Sequence, residues 1–177
     1  MAPRFSGAGR LNIALGAMAR NVRPAIARAL KRGALAIENY AVEGIIDPPK
    51  TGTIYGRNVN AGKLTKKGKR RKAKIVEHQA SAPGEFPAAD TGRLHQSITT
   101  VEVRNDDSAV VVETGANTPY AERLEFGGSH VAKNGKRVYI APRPYMTPAF
   151  KANREAIKDM VTLTVAQEIR RNARGRS

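Results

Sequence analysis

Asp90-Thr91-Gly92 is the string with the clearest catalytic potential in this sequence. Asp-Thr-Gly at a turn can bring two carboxylates together to share one proton for peptide hydrolysis, and a dimer could supply the pair. The flanks argue against it. Pro87-Ala88-Ala89 precedes the string where an apolar strand is required, and Arg93 follows where a small residue is needed. The simpler reading is a turn whose Asp side chain bonds the backbone. Residues 56–63 (GRNVNAGK) have the outline of a phosphate-binding loop. One residue too many separates the glycines, and Leu64 stands where a Ser or Thr would hold magnesium. His78, His95 and His130 share no metal-ligand spacing with each other or with carboxylates, so they read as surface or turn histidines and no metal is expected. The chain has no cysteine, which removes disulfides, thiolate metal sites and thiol nucleophiles. No cofactor motif and no enzyme activity emerge from these residues.

The strongest chemical signal is charge. Lys and Arg number 31 against 15 Asp and Glu, a formal net charge of +16 in 177 residues. Residues 61–75 (AGKLTKKGKRRKAKI) hold eight of these cations and no acid, half of the net charge. They are Lys63, Lys66, Lys67, Lys69, Arg70, Arg71, Lys72 and Lys74, and they are the candidate contacts to DNA or to an acidic partner. Each phosphate neutralised on duplex DNA contributes a salt slope of about −0.9. No aromatic is interleaved for base stacking, and no helix-turn-helix or RNA-binding signature accompanies the run. Nucleic acid and protein therefore stand equally as its partner.

These residues must be positioned by a modest core. Leu, Ile, Val and Phe together number only 36, while Ala numbers 27. One domain with basic, extended parts is the expectation. Residues 1–23 read as a basic N-terminal arm or short helix, with 11–23 the helical part. Within them, residues 11–19 followed by Arg20 have the outline of a weak targeting segment. Asn12 and Gly16 dilute the run, and no processing is expected. No apolar run approaches the ~18 residues of a membrane span.

From Pro24, the residues Ile26, Leu30, Ala34, Ile37, Ala41 and Ile45 recur at spacings of 3 and 4, one face of a helix that Asp47-Pro48-Pro49 ends. Residues 50–93 read as mostly irregular, with a short strand at Thr53-Ile54-Tyr55, an exposed basic loop over 60–75 and an extended connection over 79–93. Two strands over 94–104 and 108–114 flank Asn105-Asp106-Asp107, and Val110-Val111-Val112 predicts a strand covered on both faces. A short helix over 119–126 ends at Gly127-Gly128. A hairpin turns at Asn134-Gly135, the dipeptide that favours a tight two-residue turn. A second long helix carries Phe150, Ile157, Met160, Val161, Val165 and Ile169 on its apolar face, and a basic tail over 172–177 follows. The fold class is α+β: a small, mainly antiparallel sheet packed with two long amphipathic helices, plus extended loops.

Read as a series, the second half is more specific. Pro83-Gly84-Glu85, Thr91-Gly92-Arg93-Leu94 and Ser97-Ile98 come first. Tyr120-Ala121 and Glu125-Phe126-Gly127 follow, then Ala141-Pro142-Arg143-Pro144-Tyr145 and Pro148-Ala149 before the last helix. This order resembles a family of tailed-phage neck and tail-completion proteins, similar to the lambda minor tail protein Z group, over roughly residues 24–171. The chain departs from the family pattern at Tyr145, where Phe is commoner, and at Gly127-Gly128, where Gly-Thr is usual. The basic stretch 61–75 looks like an insertion, so no role carries over to it.

The resemblance implies a virion structural protein without enzyme activity, assembled in the host cytoplasm and placed at the junction of head and tail. It implies a closed ring of identical subunits, on the order of six copies by analogy. Partners would be the adjacent head-connector and tail-terminator or tail-tube proteins and packaged DNA in the channel, with no membrane and no cofactor. Subunit contacts would fall on Tyr120, Phe126, Arg143, Pro144 and Tyr145. The competing expectation is a basic nucleic-acid-binding protein of ribosomal or nucleoid type, which charge alone supports equally well.

Overall fold

The first long helix, α1 (Val22–Ile46), begins two residues before Pro24, so that proline sits in the first turn, where its missing N–H costs nothing. Ile26, Leu30, Ala34, Ile37, Ala41 and Ile45, the predicted stripe, are all buried. The computed structural model describes residues 10–14, 22–47, 51–106, 108–132 and 134–174, the side chains of 10–14, 57 and 172–174 excepted. Residues 1–9 and 15–21 of the proposed N-terminal arm, and 175–177 of the tail, lie outside the described residues.

α1 lies against a three-stranded antiparallel sheet in the order β1 (Arg10–Ala14), β5 (Ala109–Ala116), β4 (Ile98–Asn105). The strand at 10–14 replaces the helix expected there. Its backbone pairs with β5 from Arg10 opposite Glu113 to Ala14 opposite Ala109, and a free sheet edge outweighs weak helix propensity. Val110 and Val112 face α1 and belong to its core, while Val111, on the opposite face of the strand, is 8% exposed. Thr114 ties the layers together: its hydroxyl donates to the Ala34 carbonyl at 3.2 Å and contacts the Thr100 hydroxyl at 2.9 Å. The β4–β5 turn is held by Asp106, whose carboxylate accepts from the Ser108 and Ala109 amides and pairs with Arg104.

The second long helix, α4 (Met146–Arg174), packs along α1. Gly33 makes this approach possible, because a Cβ there would sit 2.7 Å from Ile157 Cγ1. Burial fades toward the C-terminal end of α4. Ile157 and Val161 are buried and Val165 is half-buried, while Ile169, predicted on the same stripe, is 57% exposed.

Two further antiparallel ribbons complete the fold: β2 (Ile54–Asn58) with β3 (Ile75–Gln79), and β6 (Gly128–Val131) with β7 (Arg137–Ile140). The second ribbon is the expected hairpin, but its turn is longer than expected. Ala132 N–H donates to Lys136 C=O, Gly135 N–H donates to Ala132 C=O, and Gly135 takes φ +78°. That is a three-residue loop with a glycine bulge. Short helices α2 (Arg93–Gln96) and α3 (Ala121–Phe126) fill the connections. The 80–92 connection runs across the C-terminal end of α1, with Phe86 against Gly44 and Ala89 N–H donating to Ile45 C=O. No described helix is long and apolar enough to cross a membrane.

Candidate functional site

The basic segment is not an irregular loop. It is the tip of an arm that continues the β2–β3 ribbon. Val59 N–H donates to Lys74 C=O beyond the ribbon, and the Asn60 amide side chain donates to Lys72 C=O where the pairing is interrupted. Pairing resumes at Lys63 opposite Arg71 and Leu64 opposite Arg70, and closes at Thr65 and Lys69 around a turn with Gly68 at φ +73°. From Ile54 to Thr65 the strand could reach at most about 36 Å at 3.3 Å per residue. Sequence reasoning missed the ribbon because its strand pairs are short, polar and split by Gly62 and Ala73.

Every residue from Ala61 to Glu77 is exposed. Lys63, Lys66, Lys67, Lys69, Arg70, Arg71, Lys72 and Lys74 make no ion pair within the chain among the described residues. Of these eight, Arg71 is engaged by its side chain, its Nε donating to the Leu64 carbonyl at 3.2 Å. The stalk is different. Ile54 is 58% exposed and Ile75 62%, so the ribbon shows apolar side chains along its stalk and cations at its tip.

The root is fastened to the body by hydrogen bonds. Gly52 N–H donates to Ala80 C=O, and Ala80 N–H to Thr53 C=O. Glu85 accepts from the Thr51 hydroxyl and amide and from the Ala82 amide at 2.7 Å. The Thr51 hydroxyl and these amides, with the nearby Arg143 charge, hold the Glu85 carboxyl below the usual carboxylate range. Arg143 Nε donates to Ser81 C=O and its Nη1 to Ala141 C=O.

Two of the expected subunit contacts are engaged within the chain itself. Arg143 is half-buried and directed onto its own chain, and Tyr145 is fully buried in the core. Burial, followed by the charge of Glu125, pushes the Tyr145 phenol far above its ordinary value. Tyr120 and Pro144 are half-buried, and Phe126 is 62% exposed. The reason lies in Glu125, which the residue pattern named within a motif but gave no role. Its buried carboxylate accepts from the amides of Tyr145 at 2.8 Å, Met146 at 3.0 Å and Thr147 at 2.8 Å. An acid at a helix N-terminus satisfies otherwise orphaned donors and meets the positive end of the dipole. The 141–148 turn is thereby drawn inward.

Between arm and body lies a cleft of about 450 Å³ lined by Tyr55, His78, Asp90, His95, Tyr120 and Arg143 among others. His78 Nδ1 is 3.9 Å from Asp90 Oδ1, and the His78 ring meets Tyr55 edge-on at 5.2 Å. All three histidines lie in regular elements and are half-buried. His78 lies in β3, His95 in α2 and His130 in β6; His78 and His95 are the two that line the cleft. Asp90 is the one carboxylate lining the cleft among the described residues, so a single chain lacks the paired carboxylates of shared-proton peptide hydrolysis there. No group of three His, Asp or Glu side chains is arranged to hold a metal among the described residues. Gly56–Asn58 lie in a strand with no helix after them, which removes the phosphate-loop geometry.

No family model matches the chain, and neither a curated protein nor a solved structure matches it.

Proposed function

We propose that this chain is a structural, non-enzymatic subunit of a tailed-phage neck or tail-completion ring that helps join the DNA-filled head to the tail. The observation that carries this reading is the separation of two surfaces made for other molecules. One is a set of exposed apolar side chains: Phe126 of α3 is 62% exposed, Val131 and Tyr139 of the β6–β7 hairpin 65% and 70%, and, separately, Ile54 and Ile75 emerge from the arm's stalk. A two-stranded hairpin is marginal alone and gains from a covering partner, and aromatic anchors dominate interface energetics. The other surface is the cationic arm tip. A subunit that lays its stalk and its β6–β7 hairpin against neighbouring copies and extends a charged tip beyond them suits a closed ring of heterologous contacts. The order of motifs in the second half supports the same assignment, now with Phe126 and Tyr139 as the interface aromatics in place of Tyr145.

The test is an add-back experiment. Lysates of the phage lacking this gene are examined by electron microscopy before and after purified chain is supplied. Filled heads and separate tails that join on addition are the expected result. Normal particles in the mutant would overturn the reading, and tails of uncontrolled length would move it to tail termination.

A further inference from the structure

The arm tip carries its cations on both faces of a two-stranded ribbon. Side chains alternate along a strand, and the pairing puts Lys63 opposite Arg71 and Leu64 opposite Arg70. Lys63, Lys69 and Arg71 thus share one face, Arg70 belongs to the other, and Lys66 and Lys67 cap the turn between them. A tip docking flat on an acidic protein surface would use one face and leave the other solvated. A partner with negative charge on two walls uses both. Composition favours the same partner. Six of the eight cations are lysines, which are depleted at protein–protein interfaces, and the tip offers only Leu64 as an apolar anchor, with no aromatic between Gly56 and Lys74.

The major groove of duplex DNA is bounded by two phosphate walls and admits a two-stranded β-ribbon. We infer that the 60–74 tip inserts into the major groove of duplex DNA and holds it through backbone phosphates, with little dependence on sequence. This rests on the arm projecting from the subunit, as in the ring reading, and it names what the tip reaches. The absence of aromatics sets duplex above single strands, which are held by stacking. The shortage of amide side chains at the tip leaves base edges largely unread.

The test uses the purified full chain and a fluorescent duplex of about 30 base pairs, long enough to offer several turns of groove, with anisotropy followed as salt is raised. The variant Lys66→Gln, Lys67→Gln, Lys69→Gln, Arg70→Gln, Lys72→Gln leaves Arg71 and its bond to Leu64 in place. Five phosphate contacts correspond to a slope of about −4.5, roughly a 100-fold loss of affinity between about 100 and 300 mM salt. The variant is expected to lose most of that slope while keeping the wild-type circular dichroism and melting transition. Methyl green, which occupies the major groove, is expected to compete, and netropsin, which occupies the minor groove, is not.

An unchanged slope in the variant would overturn the inference, as would competition by netropsin alone. Displacement by poly-glutamate as effective as DNA at equal charge would assign the tip to an acidic protein instead. The outcome is independent of the ring. A chain that joins heads to tails without charge-dependent duplex binding loses this inference only. A chain that binds duplex but whose loss leaves particles normal loses the neck assignment only.

Discussion

In the body of the molecule, Ile26, Leu30, Ala41 and Ile45 of α1 are wholly buried, and α4 and the sheet close over them. The arm has no counterpart to this packing. Its 60–74 tip has no core, and its order comes from backbone pairing and from the hydrogen bonds at its root. The contrast is one of energetics. An element without buried side chains contributes little to global stability, so its sequence is free to concentrate charge that a packed element could not tolerate. The body can accept little change in volume, whereas the fold of the tip can accept change in everything except its turn glycines.

The largest effects that test this division belong to the body. Glu125→Ala removes the acceptor for three amides at the start of α4. A loss of about 3–5 kcal/mol is expected in urea unfolding, with Glu125→Gln recovering part of it. A loss below ~1 kcal/mol would show that water replaces the carboxylate and that α3 and α4 are not locked together.

Ile157→Ala should cost about 2–4 kcal/mol by opening a cavity at the α1–α4 contact. Gly33→Ala should cost about 1–2 kcal/mol, since its Cβ would press on Ile157. The double variant should cost less than the sum, because the smaller side chain gives the new methyl room. Strict additivity would deny that Gly33 and Ile157 share one contact.

The junction between the regions should respond to pH. The Glu85 carboxyl is held below its usual value in the folded chain. Its contribution is therefore complete above the unfolded value of about 4.3 and is lost as pH falls through the lower folded value. Protection of the Thr51 and Ala82 amides, taken as exchange relative to the intrinsic rate at each pH, should fall in that acid window, and Glu85→Gln should leave it low across the same range. Unchanged exchange would mean that the root is held by the Gly52–Ala80 ladder alone.

The smallest effect belongs to the tip. Replacing five of its eight cations by Gln should move the melting temperature by no more than about 2 °C, the size of a surface change below ~0.5 kcal/mol. A shift of many degrees would break the comparison and make the arm part of the folding unit.

The periodic elements are legible in residue order alone. The α1 stripe, the triple-valine strand, the short helix ended by Gly127 and the placement of half the net charge in one exposed segment are local properties, written in spacing and composition. The remaining features depend on partners far apart in the chain. Residues 10–14 form a strand because β5 offers a free edge nearly a hundred positions away, and the basic segment forms a ribbon because its two halves pair across a turn. Glu125 caps a helix because α4 begins beside it, and that one set of bonds makes Tyr145 core instead of a candidate contact. His78, Asp90 and His95 come together in one cleft for the same reason: convergence in space leaves no signature in spacing.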